Sequence, residues 1–349
     1  PLPPTEVPTS TFTPQPQIYG PADFPAGINP LTGLSVSNAD LLKRRPLATK
    51  IELFPRPHRP TWGASLADIV FDYYQNNGLT RLHAIFYGAD AEQIGPIRSA
   101  RLLDVHLIRM YKSIFAFGGA DKRVLNNLFN SEFYDRLVVE GAQNCPPMCR
   151  VDPNGANLLV SSTKDLTAYA ATKGINNDPQ NLDGMLFDYN VPANGSPGNQ
   201  LSVRFSISAY LRWDYDSASG KYLRFQDAVE DQGGGESYEP FLDRISGQQV
   251  AADNVVVLLI PHAYVHKSGN SEIIDIQLSG SGTAYAFRNG QAYEVRWNRP
   301  KTDSVVYLTY PDGRPFPYKH GSTWYELVGT TSVMEIRENG AWRFVFSIP

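Results

Sequence analysis

The densest run of chemistry-bearing side chains is Gly95-Pro96-Ile97-Arg98-Ser99-Ala100-Arg101-Leu102-Leu103-Asp104. Gly-Pro makes a turn, and an amphipathic segment begins at Ser99, a residue type suited to open a helix. Arg98, Ser99 and Arg101 therefore stand where backbone N–H groups point outward. Two guanidinium groups, a hydroxyl and those N–H groups suit an anion: phosphate, carboxylate or sulfate. Arg81 joins them if its strand abuts the turn. The competing reading has Arg98 and Arg101 paired internally with Asp68, Asp72 or Asp104, bracing the fold. Gly118-Gly119 ends a strand just before a helix, a place where open α/β sheets hold ligands. The candidate ligand-binding set is Arg81, Arg98, Ser99, Arg101, Asp68, Gly118 and Gly119.

Other chemistries find less support. The chain has no GxGxxG, no GxxxxGK[ST] and no GxSxG, and Ser99 has no evident His partner, which argues against nucleotide binding and serine hydrolysis. His262 and His266 lie four apart on an expected strand, but a third ligand would have to come from Glu272, Asp275 or His320, and nothing marks one. Neither a metal nor a cofactor is expected. Tyr210, Trp213, Tyr215, Tyr222, Tyr285, Trp297 and Trp324 have the right chemistry to stack on sugars, although aromatics in β-rich segments are mostly core. Cys145 and Cys149 flank Pro146, Pro147 and Met148; a disulfide across this tight turn is favoured over free thiols, with a metal half-site last.

The 349 residues carry 31 Lys+Arg against 35 Asp+Glu, a net charge of −4, so no basic excess exists to drive nucleic-acid binding. No apolar run approaches the ~20 residues that span a bilayer. Six prolines fall in the first sixteen residues, and residues 1–28 read as an extended Pro/Thr-rich tether. A signal peptide removed upstream would fit that spacer and the cysteine pair, placing the protein outside the cytoplasm, secreted or membrane-anchored.

Strands are expected at 48–54, 67–75 and 80–88, the last two joined by a hairpin at Asn76-Asn77-Gly78. Helix at 99–111, strand at 113–117, helix at 122–130 and a capped helix at 163–172 then suggest an α/β unit with parallel strands. Beyond a turn-rich break at 190–200, alternating segments punctuated by Asn289-Gly290, Asp312-Gly313 and Asn339-Gly340 read as antiparallel β. The expectation is an α+β two-domain protein. An N-terminal α/β domain with a mixed sheet (29–190) would precede a mostly antiparallel β domain, a sandwich or barrel (191–349). The stretch 234–246 reads as one helix or a loop.

PLTG at 30–33, RPTWGASLADIVFDY at 59–73, TRLHAIFY at 80–87 and GPIRSAR at 95–101 resemble the YerB-like family of bacterial lipoproteins. DNVVVL at 253–258, GSGTAYAFRNG at 280–290 and DGRPFPYKHGSTWYELV at 312–328 are similar to its C-terminal part. The chain departs from the family after Arg150, where a Pro-His-Asn step is replaced by Asp152-Pro153-Asn154-Gly155-Ala156-Asn157. The His position corresponds to Ala156, so no role for that His carries over. The resemblance implies a domain of unknown function, exported and lipid-anchored, with no catalytic mechanism attached.

The leading expectation is an envelope protein that holds an anionic group, on wall polymer, glycan or partner protein, through Arg98 and Arg101. Membrane contact would come only through a removed N-terminal lipid anchor. The alternative is an envelope hydrolase acting on wall polymer with Asp68 or Asp72 as base and Arg98 fixing substrate. A third reading is a scaffold that docks partners through the aromatic surface of residues 200–349.

Overall fold

Leu47–Glu52 (β1), Ile69–Asn76 (β2) and Leu79–Phe86 (β3) are rich in β-branched and aromatic residues, and nearly every position in them is buried. Strands without an exposed face belong in a sheet covered on both sides. The computed structural model, which describes residues 18–153, 155–269 and 271–348, places them there. β2 and β3 form the expected hairpin, with Asn77 and Gly78 at φ 52 and 76, the pair of positive values that a tight two-residue turn requires.

β1 pairs antiparallel with β3 and parallel with Ile114–Phe117 (β4), and Leu137–Val139 (β5) continues in parallel beyond it. On the far side of the hairpin, Thr323–Gly329 pairs parallel with β2, and Asn254–Ile260 parallel with that strand. Gly280–Arg288, Gln291–Arg299 and Tyr307–Thr309 extend the same sheet antiparallel. One mixed sheet thus runs through both halves of the chain.

Leu102–Tyr111 (α1) and Lys122–Phe129 (α2) lie on one face, where the Tyr111 ring packs 5.9 Å from Phe71. The other face carries a second sheet of 200–204, 210–216, 221–227, 238–240, 333–337 and 341–345, with Ala251–Ala252 attached. Trp213 from that sheet meets Trp324 edge-on at 5.2 Å. Thr163–Thr172 (α3) covers the remaining part of this face, setting Leu166 and Ala170 against Leu47, Ile114 and Ala116.

The expected mixed sheet and antiparallel texture are present, but the boundary at 190/191 does not separate two sheets. The strands after residue 200 do not close into a sandwich or barrel of their own: some complete the central sheet and others cover it. Residues 1–17 of the expected tether lie outside the described residues. Residues 18–28 are docked instead of free, because Tyr19 and Phe24 supply apolar surface after the proline run ends. Tyr19 exchanges backbone hydrogen bonds of 3.0 and 2.8 Å with Phe187, and Phe24 packs on the same ring. The stretch 234–246 holds the short strand Tyr238–Pro240 and a turn, with no helix.

Candidate functional site

The segment 96–100 is zipped into the end of the sheet from both sides. Arg98 N–H donates to the Lys50 carbonyl (2.9 Å) and Glu52 N–H to the Pro96 carbonyl (2.8 Å), tying it to β1. Gly118 N–H donates to the Arg98 carbonyl (3.0 Å) and Ala100 N–H to the Gly119 carbonyl (2.9 Å), tying it to the loop after β4. Both parallel strands end here, so the expected neighbourhood of Arg98, Ser99, Gly118 and Gly119 exists. A Cβ on Gly118 would sit 3.4 Å from Arg98 Cα, whereas Gly119, at φ +89, faces open space.

Three guanidinium groups converge on this segment. Arg81 Nη1 donates to the Ser99 carbonyl at 3.0 Å, and Arg101 Nη1 to the carbonyls of Ala100 (2.8 Å) and Ser99 (3.4 Å). Arg101 Nη2 also donates to Gln75 Oε1 at 2.5 Å. Arg98 Nε is paired with Glu52 Oε1 at 2.7 Å, and the other Glu52 oxygen meets His58 Nδ1 at 3.0 Å. Among the described residues, neither Arg81 nor Arg101 has a carboxylate within 4.0 Å of its guanidinium. Burial, and next the charge of Arg101, pushes Arg81 down to about 9; burial also lowers Arg101. Both shifts report positive charge held largely away from solvent, with Glu52 pulling Arg81 back up and Asp104 and Asp121 doing the same for Arg101.

Behind the arginines lies a sealed network. Lys50 Nζ donates to Tyr73 OH, Tyr73 OH to Asp104 Oδ1 (2.5 Å), and His83 Nδ1 meets the same oxygen at 2.8 Å; all four side chains are fully buried. Asp104 Oδ2 accepts the Arg101 N–H at 2.6 Å, so α1 opens at Leu102 with Arg101 as its cap, three residues later than expected from Ser99. Burial works against the Asp104 carboxylate, but Lys50, His83 and Tyr73 outweigh it and hold the group well below the usual range. Lys50 is pushed down to about 7 by burial, against the pull of Asp104.

The remaining candidates are elsewhere. Asp68 sits at the opposite end of β2, five residues or ~16 Å of strand from Tyr73, the partner of Arg81. Its oxygens accept from Tyr87 N–H (2.5 Å), Gly88 N–H (3.0 Å) and Asn29 Nδ2 (2.8 Å), and burial raises it to about 6. Asp72 points to the other face of the sheet, where Arg224 Nη2 meets Oδ2 at 2.5 Å. Neither aspartate reaches Arg98, and the guanidinium groups of Arg98 and Arg101 are not locked onto Asp68, Asp72 or Asp104. The counter-charge to Arg98 is Glu52, in place of the expected Asp68, Asp72 or Asp104. Lys50 and Glu52, two apart on one strand face, were the available signal.

His262 is buried with Nδ1 on the Ile260 carbonyl (2.8 Å), and a bulge between Tyr264 and His266 breaks the spacing that would align the pair. Among the described residues, no group of three or more His, Cys, Asp or Glu could hold a metal ion. Tyr210, Trp213, Tyr222, Trp297 and Trp324 are buried, so they pack the core and cannot receive a sugar; Tyr215 and Tyr285 are half-buried. Cys145 and Cys149 are bridged as a disulfide.

A mixed sheet with α1 and α2 on one face and a β layer with α3 on the other, carrying a polar cluster at the ends of its parallel strands, defines the class. Residues 31–176 match the N-terminal domain, and residues 201–325 the C-terminal domain, of a family described as protein of unknown function, DUF3048; the chain belongs to that family. It is 27% identical over 304 residues to "Putative lipoprotein YerB" of Bacillus subtilis (strain 168), covering 86% of this chain and 85% of that one. The fold matches the crystal structure of YerB protein from Bacillus subtilis with a TM-score of 0.69 at 24% identity, over 86% of this chain and 96% of the other.

Proposed function

We propose that this is an exported, lipid-anchored envelope protein whose Arg81–Arg98–Arg101 cluster holds an anionic group on a wall polymer, glycan or partner protein. The observation that carries the reading is the pair Arg81 and Arg101, both turned onto the Ser99 carbonyl, with no carboxylate within 4.0 Å of either guanidinium among the described residues. Partly buried guanidinium groups in that state favour a bound anion, because its charge offsets a desolvation already incurred. Gly119 leaves space beside them, and Ser99 is only part-buried. The disulfide and the relative's name as a lipoprotein support the compartment. No helix among the described residues is long and apolar enough to cross a membrane. No observation favours the hydrolase alternative, since Asp68 and Asp72 are both removed from Arg98.

The test is calorimetric titration with inorganic phosphate and sulfate, joined to a sulfate soak of crystals. Density touching Arg81 and Arg101 is expected. An Arg81→Gln/Arg101→Gln double variant with an unchanged circular dichroism spectrum is expected to bind at least tenfold more weakly. Unaltered affinity in that folded variant would refute the assignment.

A further inference from the structure

A cavity of about 520 Å³ lies apart from the arginine cluster and shares no lining residue with it. Its walls are fixed by backbone pairing. Trp62 and Gly95 exchange hydrogen bonds of 2.7 and 3.2 Å, Ile94 and Ser161 exchange bonds of 2.7 and 3.0 Å, and Arg244 N–H donates to the Thr61 carbonyl at 2.7 Å. The volume is within the range of small-molecule sites.

Charge is distributed unevenly around it. Arg244 lies over the Trp62 ring at 4.5 Å, and its guanidinium is pinned along one edge by the carbonyls of Pro60 (3.0 Å), Arg59 (2.9 Å) and His58 (3.2 Å). Among the described residues, Nη1 has no hydrogen-bond partner and no carboxylate lies within 4.0 Å of the group. The cavity's other charged residues are acidic: Glu92, which makes no ion pair among the described residues, and Asp165, whose Oδ2 accepts from Ser162 Oγ at 2.8 Å. Gln93 adds a neutral amide.

We propose that this cavity binds a short peptide with free ends, its terminal carboxylate on Arg244 and its ammonium on Glu92 or Asp165. A planar guanidinium held rigid on one side recognises a carboxylate on the other. The indole face that a pyranose ring would need for stacking is covered by Arg244, which favours a peptide over a sugar. An extended tripeptide spans ~10 Å, a length suited to a cavity of this size.

The experiment titrates the full chain with Ala-Ala-Ala, with its C-terminal amide and with its N-acetyl form. The free peptide is expected to bind at least tenfold more tightly than the amide, since the amide lacks the charge that Arg244 receives. Arg244→Gln is expected to bring the free peptide down to the amide's affinity and to leave the amide unchanged. Should that variant misfold through loss of the 58–60 carbonyl contacts, the acid-to-amide comparison on the unaltered chain still decides. Equal affinity for acid and amide would overturn the proposal. So would no binding of any form at millimolar concentration, or binding of a chitin oligosaccharide in preference to the peptide.

Discussion

Replacing Arg224 by Leu should destabilise the protein strongly, and more so at neutral than at acid pH. Arg224 sits between the two sheets with 1% of its side chain exposed; its Nη2 meets Asp72 Oδ2 at 2.5 Å, and Asp72 is fully buried. Asp72 faces Glu326 across the parallel pair of strands, and Trp213 Nε1 donates to Glu326 Oε1 at 2.9 Å. Burial, then the Asp72 charge, pushes Glu326 up to about 8, so at neutral pH the site holds one carboxylate, one guanidinium and a largely protonated acid. Deleting the cation leaves a carboxylate without its partner in the interior, which costs about 3–5 kcal/mol. For a chain of this size, that corresponds to a fall in Tm of roughly 4–7 °C.

The sign with pH follows from linkage. Burial already raises Asp72, and loss of Arg224, which lowers it, raises it further above an unfolded value near 3.9. A carboxyl raised on folding loses stability as pH climbs from about 4 through its folded value. The deficit relative to the parent protein should therefore be largest near pH 7–8 and shrink toward pH 4. Urea melts at those pH values measure it directly, and Asp72→Asn added to Arg224→Leu should recover part of the loss. A deficit below about 1 kcal/mol, or one that does not change with pH, would refute the reasoning.

Asp104→Asn should cost about 3 kcal/mol or more, because Lys50 loses the charge facing it inside a sealed site. In the parent protein the Asp104 contribution is present above about pH 4 and is lost as pH falls; chemical denaturation across that interval should show the variant's curve flattened there. Reducing the Cys145–Cys149 bridge, or replacing both residues by Ser, should cost no more than about 2 kcal/mol, because the closed loop is only four residues in separation. Thermal melts with and without reductant check this, and a drop of tens of degrees would show that the loop anchors far more than itself.

Much of the local structure is legible in the sequence. Asn77-Gly78, Asn289-Gly290 and Asn339-Gly340 each adopt the paired positive φ values of a tight hairpin, and Ser162 caps α3 through a 3.0 Å bond from Asp165 N–H. These signals act within a few residues, so they survive folding unaltered. Strand partners are less legible. β1 is buried at all six positions, so the spacing of Lys50 and Glu52 that marks one strand face does not say whether that face meets solvent or the core, nor which partners it meets there. Asp68 and Arg81 lie thirteen residues apart in a hairpin, but being at opposite ends of it puts them far apart in space; only register decides this, and register is set by the turn. The Arg244–Trp62 pair joins segments 182 residues apart, and no local pattern relates them.

The order in which residues enter the central sheet also sets when the sheet can close. Thr323–Gly329 lies between β2 and Asn254–Ile260, so two strands made before it must wait, unpaired on that edge, for one made some 250 residues after the first of them. Contacts of such separation are slow to form, and until they form the buried faces cannot be sealed. A nascent chain stopped short of residue 323 would carry an open edge on β2 and no middle to its sheet. The sheet therefore cannot close before residues 323–329 have been made, which keeps the polypeptide pliable until then.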